Sequence, residues 1–248
     1  MRQVYRFAEL NIGVTSVHDE IHSLCSDYLA DGAEAVFDVE TDQGDIDFEF
    51  ARSAREDEYE GRPVRRFTDS YLETLAVYRK IAEKMPCYDT LLFHGSCVAV
   101  DGKGYLFAAS SGTGKSTHTR LWRQLLGSRA VMINDDKPLI RIKEDGAVIF
   151  GTPWDGKHRL STNACVPLKG LCILERAGKN SIRRISASEA FPMLLQQAYR
   201  PQDADAMDRT LALLDRLAAS VPLWRLCCNM DIEAAKVAYR AMSSENHL

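Results

Sequence analysis

Short, nearly continuous apolar runs recur through the middle of the chain, at residues 97–100, 105–108, 130–133, 147–150 and 170–174. Runs of that length predict the strands of one sheet. Elsewhere the apolar positions follow a helical rhythm. Leu121, Trp122, Leu125 and Leu126 recur at helical spacing, and Gly127 suits the end of that helix. Leu72, Leu75, Ala76, Ile81 and Met85 line one face of a helix that Ser70 and Glu73 would open as a capping box. Near the C-terminus, Ser186 and Glu189 offer a second capping box, with Pro192 late for a first turn. Leu211, Leu214, Leu217 and Ala218 form a packing stripe, residues 221–228 a strand, and Asp231 a cap for a final helix. The alternation Asp45-Ile46-Asp47-Phe48-Glu49-Phe50 predicts a half-buried strand, and the mixed-sign charged run over residues 52–66 a solvated loop or hairpin edge.

These patterns divide the chain into an N-terminal β-rich and helical segment, residues 1–89, packing on a core, residues 90–248, that ends in helices; the whole is expected to form one compact unit. At 248 residues the length suits that organisation, and an apolar share of 46% is ordinary for a folded protein. The formal net charge of −4 argues against a broad nucleic-acid footprint. No apolar run approaches the roughly 20 residues of a membrane span. The opening Met1-Arg2-Gln3-Val4-Tyr5-Arg6 lacks the apolar region of a signal peptide. The 7 cysteines show no metal-type spacing and read as reduced core thiols, so a cytoplasmic protein is expected. The pattern carries no indication of oligomeric state.

The candidate chemistry begins where the run at 105–108 ends. Residues 109–117 read Ala-Ser-Ser-Gly-Thr-Gly-Lys-Ser-Thr, and a helix follows. Strand, glycine loop and helix together make a phosphate-binding loop, because inward-turned amides and the positive end of the helix dipole meet the same anion. Ser111, Gly112, Thr113, Gly114, Lys115, Ser116 and Thr117 are the expected nucleotide-binding residues. Lys115 would reach the β- and γ-phosphates, and the Ser116 hydroxyl would hold Mg²⁺. Ala109 stands where the usual pattern has its first glycine.

Two further constellations turn a nucleotide loop into a candidate active site. The strand at 130–133 runs into Asn134-Asp135-Asp136 about twenty residues after the lysine. In phosphoryl transfer one carboxylate helps to hold the metal and another accepts the proton of the attacking hydroxyl. His94 precedes the loop at the end of another apolar run, where an imidazole could bind metal, orient a carboxylate or stabilise the transferring group.

In this order, His94-Gly95, then Ser111-Gly112-Thr113-Gly114-Lys115-Ser116, then Asp135-Asp136, the chain resembles the catalytic core shared by HPr kinase/phosphorylase and the phosphoenolpyruvate carboxykinases. The resemblance covers roughly residues 90–175. It implies an α/β (α+β) fold with a strongly bent mixed sheet flanked by helices around the phosphate loop. It further implies ATP, Mg²⁺ with Mn²⁺ as an alternative ion, Asp135 as the base, Asp136 as the metal partner, and Lys115 and His94 as catalytic supports. HPr kinases carry a metal-binding Glu downstream. The comparable stretch here, Phe150-Gly151-Thr152-Pro153-Trp154-Asp155-Gly156-Lys157-His158, has none. On its own terms that stretch is a structured loop in which Lys157 is a candidate contact to phosphate or to an acidic substrate group. The expected activity is transfer of a γ-phosphoryl group to a hydroxyl, in first place a serine of a protein or peptide. The alternatives are a small-molecule kinase and an ATP-binding regulatory module without turnover.

Overall fold

Along Arg2–Phe7 (β1), buried Tyr5 and Phe7 alternate with exposed Arg6, which is the period of a strand with one covered face. The computed structural model describes residues 1–244, and the chain divides into two compact units, Met1–Lys84 and Met85–Leu248.

In the first unit β1 pairs antiparallel with Leu10–Thr15 (β2), and Phe37–Glu40 (β3) adds parallel to β2. Glu20–Leu24 (α1), Gln43–Tyr59 (α2) and Asp69–Lys84 (α3) accompany this sheet. The stretch 45–50 is therefore helix, not strand. Asp42 accepts the amide of Asp45, and the Asp45 carboxylate accepts the amide of Asp42, a reciprocal cap that nucleates α2. On that helix Ile46 and Glu49 fall on one buried side while Phe48 and Phe50 stay partly exposed. Arg79 of α3 binds Glu49 at 2.6 Å and Asp45 at 3.0 Å, so charge pairing takes the place of an apolar stripe between the two helices. The charged run at 52–66 is likewise helical to Tyr59, and its buried Asp57 is held by Arg62 and Arg65.

The cap expected at Ser70 lies elsewhere. Thr68 Oγ1 accepts the amide of Tyr71. Glu73 is fully buried and accepts the amides of Val17 and His18 and the hydroxyl of Thr41. Three donors satisfy that carboxylate, which makes its burial tolerable.

The second unit contains Thr90–Leu92 (β4), Ser96–Val100 (β5), Lys103–Ala108 (β6), Lys115–Leu126 (α4), Ala130–Asn134 (β7), Leu139–Lys143 (β8) and Gly146–Phe150 (β9). Cys165–Arg176 (β10), Ser181–Arg184 (β11), Ala187–Gln197 (α5), Ala204–Ser220 (α6), Leu223–Cys228 (β12) and Ile232–Ser243 (α7) complete it. The strands form one curled mixed sheet in the order β4-β8-β9-β10-β6-β5-β7, with β12 on β10 and β11 on β12. The curl is made by β10. Residues 165–167 pair antiparallel with β9, whereas residues 168–173 run parallel to β6, and the register shifts between Leu168 and Gly170. Where β9 and β10 fold towards β6, a Cβ on Gly104 would stand 2.9 Å from Ile149 Cγ2, so only glycine allows the approach.

Helices cover both faces. Ala190 and Leu194 of α5 and Leu213, Leu214 and Leu217 of α6 pack on one side with Leu106, Ile140 and Ile173. Leu121 and Trp122 of α4 and Ala235, Ala238 and Met242 of α7 pack on the other with Phe107, Cys172 and Leu226. Burying the Trp122 ring contributes on the order of 4 kcal/mol and fixes α4 against the sheet. Ser186 accepts the amide of Glu189 at the start of α5, but the Glu189 carboxylate pairs with Arg183 and does not close the box. Asp231 sits at the cap of α7 without a capping bond and takes the Asn229 side-chain amide at 2.8 Å. All 7 cysteines are free; only Cys25, Cys97 and Cys172 are buried, so the others are not core thiols.

Candidate active site

The loop between β6 and α4 follows from its glycines. Gly112 has φ 73° and Gly114 φ 124°, conformations that a side chain disfavours. Thr113 closes a turn onto Ser110, and the amide of His118 begins the ladder of α4 from the Gly114 carbonyl. Ala109 is fully buried at the end of β6. Lys115, the first residue of α4, folds back so that Nζ donates to the Ala109 carbonyl at 3.0 Å. Burial lowers its ammonium below the usual lysine range, and the charges of Asp136 and Asp135 oppose that shift. Arg176, the last residue of β10, grips the loop from outside: its guanidinium donates to the carbonyls of Gly112 and Thr113.

The acidic residues are placed by the turn after β7. Asn134 is fully buried, and its Oδ1 accepts the amides of Asp136 at 2.8 Å and Lys137 at 2.6 Å. Its Nδ2 donates to the Thr152 carbonyl at 3.0 Å. This side-chain turn sends the two carboxylates different ways. Asp135 is buried and accepts the Ser96 hydroxyl at 2.6 Å, and Ser96 in turn meets Thr119 of α4 at 2.9 Å. Asp136 meets His94 Nε2 at 3.2 Å and Lys137 Nζ at 3.4 Å.

His94 reaches that position because the segment between β4 and β5 is pinned on both sides. Its amide donates to the Gln197 carbonyl, and the Gly95 amide donates to the Asp136 carbonyl at 3.1 Å. The bond to Asp136 favours the imidazolium, but burial together with the charges of Lys137 and Lys115 outweighs it, and His94 titrates below its ordinary value. Burial pushes Asp136 towards the neutral acid, but His94 and Lys137 prevail and hold it below the usual carboxylate range.

The segment 151–158 approaches the same carboxylates. At Gly151 an added Cβ would lie 2.0 Å from the Thr162 carbonyl oxygen. Beside it, Asp155 is raised by burial while Ser161 donates to it at 3.0 Å. Gly156 packs on Asp136, since a Cβ there would lie 3.1 Å from Asp136 Cβ. Lys157 is exposed and, among the described residues, has no ion-pair partner.

Two pockets flank the start of α4. One, of about 560 Å³, is bounded by the loop glycines, Leu121, Leu174, Arg176 and Met230. The other, of about 210 Å³, is bounded by Ser116, Arg120, Arg123, Asp135 and His158. Ser116 and Asp135 thus share a cavity, and His94 and Asp136 form a separate pair. Ser96, Asn134, Asp155 and Arg176 are further site residues that apolar patterning does not single out. The available signals were local: an Asn immediately before the acidic pair, a Ser two positions after His94, and an Arg closing the run at 170–174.

The fold and site define a mixed α/β protein with a curled sheet and a glycine-rich strand–loop–helix unit beside a cluster of carboxylates. The family described as SynChlorMet cassette protein ScmC matches residues 68–231, more than half of the chain, and the chain belongs to that family. No curated protein matches the sequence. Among solved structures, the HPr(Ser) kinase/phosphatase from Coxiella burnetii is similar with a TM-score of 0.33 and 10% identity, over 62% of this chain and 99% of that one. A likeness of that degree carries no weight for activity. No helix among the described residues is long and apolar enough to cross a membrane.

Proposed function

We propose that the chain is an ATP-dependent phosphotransferase that moves a γ-phosphoryl group to a hydroxyl, in first place a seryl hydroxyl of a peptide. The observation that supports this reading best is Asp135: a buried carboxylate, held by Ser96, facing the cavity that opens at Ser116 beside the phosphate loop. A carboxylate anchored at that point is placed to accept the proton of a hydroxyl that enters the cavity. In the proposed step the acceptor oxygen forms its bond to Pγ as the bond from Pγ to the bridging oxygen breaks. ADP leaves, and the acceptor proton passes to Asp135. Lys115 and the loop amides hold the phosphates, Arg176 stiffens the loop, and His94 fixes Asp136.

A divalent cation fits the donors present. The Ser116 hydroxyl is a hard oxygen ligand suited to Mg²⁺ or Mn²⁺, but the carboxylate that shares its cavity is Asp135, while Asp136, the expected metal partner, is engaged by His94 and Lys137. Among the described residues no three His, Cys, Asp or Glu side chains converge as a metal cage, so the remaining ligands would come from phosphate oxygens and water. Such an ion supplies charge neutralisation at the phosphates.

Purified protein with labelled ATP, Mg²⁺ and seryl peptides tests the reading. Lys115→Ala should abolish transfer. Asp135→Asn should retain nucleotide binding and lose transfer by on the order of 100-fold or more. Full transfer in Asp135→Asn would remove the assigned base, and failure of the wild-type protein to bind ATP would end the proposal.

A further inference from the structure

The smaller pocket beside α4 has a cationic wall with no assigned task. Ser116, Arg120 and Arg123 lie at i, i+4 and i+7, one face of a single helix. The helical rise places the two arginines roughly 6 and 10 Å along the axis from Ser116. All three line the pocket, His158 joins them from the loop after β9, and Asp135 is the one carboxylate among the lining residues. Among the described residues neither Arg120 nor Arg123 has an ion-pair or side-chain hydrogen-bond partner, although the chain carries more acidic than basic residues overall. Arg120 is exposed and Arg123 half-buried, so both guanidinium groups are within reach of solvent and of a solute that enters the pocket. Two that remain unpaired at the rim of a cavity are free to take an anion from outside.

The larger pocket supplies the contrast. It lies against the glycines of the loop, offers Leu121, Leu174 and Met230 as apolar surface, and shares only Thr117 with the smaller one. An apolar slot against a phosphate loop suits the base and ribose of a nucleotide. On the phosphotransferase reading the nucleoside would take that slot, which leaves the cationic pocket open to an acceptor.

We propose that this pocket selects an anionic acceptor: a carboxylate a few bonds from the reacting hydroxyl docks on Arg120 and Arg123 and brings that hydroxyl to Asp135. The inference rests on the phosphotransferase reading above. It adds the class of acceptor and two specificity-determining residues. Arg120 and Arg123 act on the acceptor's charge and take no part in bond making. The carboxylate can belong to a peptide or to a small hydroxy acid, and the test separates the two.

The probes are two matched pairs: acetyl-Gly-Gly-Ser with a free carboxylate against its amide, and D-glycerate against glycerol. Calorimetric binding is measured on wild-type protein, nucleotide-free and ADP-loaded. At least one acid should bind on the order of tenfold or more tighter than its neutral partner. The better acid, tripeptide or glycerate, identifies the source. Arg120→Gln with Arg123→Gln should erase the preference, and Arg120→Lys with Arg123→Lys should restore part of it, because charge returns without the fork. In the transfer assay the Gln pair should raise KM for the acid and leave KM for ATP and kcat unchanged. Equal binding within both pairs overturns the proposal, as does no binding of either acid up to about 10 mM. A rise in KM for ATP in the Gln pair also overturns it, by assigning the arginines to the nucleotide. A protein that binds no ATP defeats the phosphotransferase reading and the acceptor role with it, whereas the acid–neutral comparison on nucleotide-free protein separately decides whether the pocket selects an acid.

Discussion

His118 lies under the phosphate loop and is a sharp test of the packing around α4. It is buried, accepts the indole N–H of Trp122 at Nε2 at 3.0 Å, and meets the edge of Phe107 at 4.7 Å between ring centres. Burial lowers its pKa from 6.5 to about 4. The folded state therefore binds its proton less readily than the unfolded chain. Stability from the neutral imidazole is complete above about pH 6.5 and is lost as the pH falls towards 4. The fall from 6.5 to about 4 limits the loss to roughly 3 kcal/mol, and at about pH 5 the expected loss is roughly 2 kcal/mol. His118→Gln keeps an acceptor for Trp122 and cannot titrate. All 3 tryptophans, Trp122, Trp154 and Trp224, lie in the second unit, so urea unfolding followed by tryptophan fluorescence reports on that unit. The stability of wild type relative to His118→Gln should fall by about 2 kcal/mol between about pH 7.5 and pH 5, while groups common to both proteins cancel. A difference that stays constant with pH, or that moves in favour of wild type on acidification, would refute the account of His118 as a buried neutral imidazole.

Other perturbations follow from the same geometry. Ser96→Ala removes a side-chain donor to the buried Asp135 carboxylate; it should cost about 1–3 kcal/mol in urea unfolding and lower kcat more than it changes KM for ATP. Arg176→Ala frees the carbonyls of Gly112 and Thr113 from an exposed guanidinium. Thermal stability should change little, while affinity for ATP measured by calorimetry falls on the order of tenfold. Gly151→Ala drives a methyl to within 2.0 Å of the Thr162 carbonyl, so unfolding should show a loss of about 2 kcal/mol or more.

Much of the second unit was legible because its strands are buried on both faces and leave uninterrupted apolar runs. Helix α4 was legible because Leu121 and Trp122 keep to one side. The first unit was harder. The alternation at 45–50 fits a strand by period, yet the reciprocal cap between Asp42 and Asp45 decides for helix, and its signal is two acidic residues in place of the usual Ser and Glu. Glu73 misled in the opposite sense. It stands three residues after Ser70, as a capping acid should, but donors distant in sequence claim it. The order of His94, the loop and the acidic pair was readable, and the structure brings His94 to Asp136. The division of labour that sends Asp135 to Ser96 and Asp136 to His94 depends on the Asn134 turn, and a linear pattern does not show which way a turn will aim its side chains. Apolar spacing singles out neither Arg120 nor Arg123; they gain a context only in the structure, where the loop bearing His158 meets their side of the helix in one pocket.

The passage of β10 from one part of the sheet to the other bears on how the molecule comes to be folded. β6, which carries the loop, needs β10 as a parallel neighbour about 65 residues further along the chain, and β10 needs β12 about 50 residues further still. Contacts so distant in sequence close slowly. During synthesis β5 and β6 can pair as a hairpin and β7 can cover the β5 edge, but the β6 edge has no partner until the chain has been made past Arg176. The phosphate loop, though written before the midpoint of the sequence, is thus among the last parts to acquire its final shape, and a ribosome-bound chain lacking β10 and β12 should be unable to hold a nucleotide.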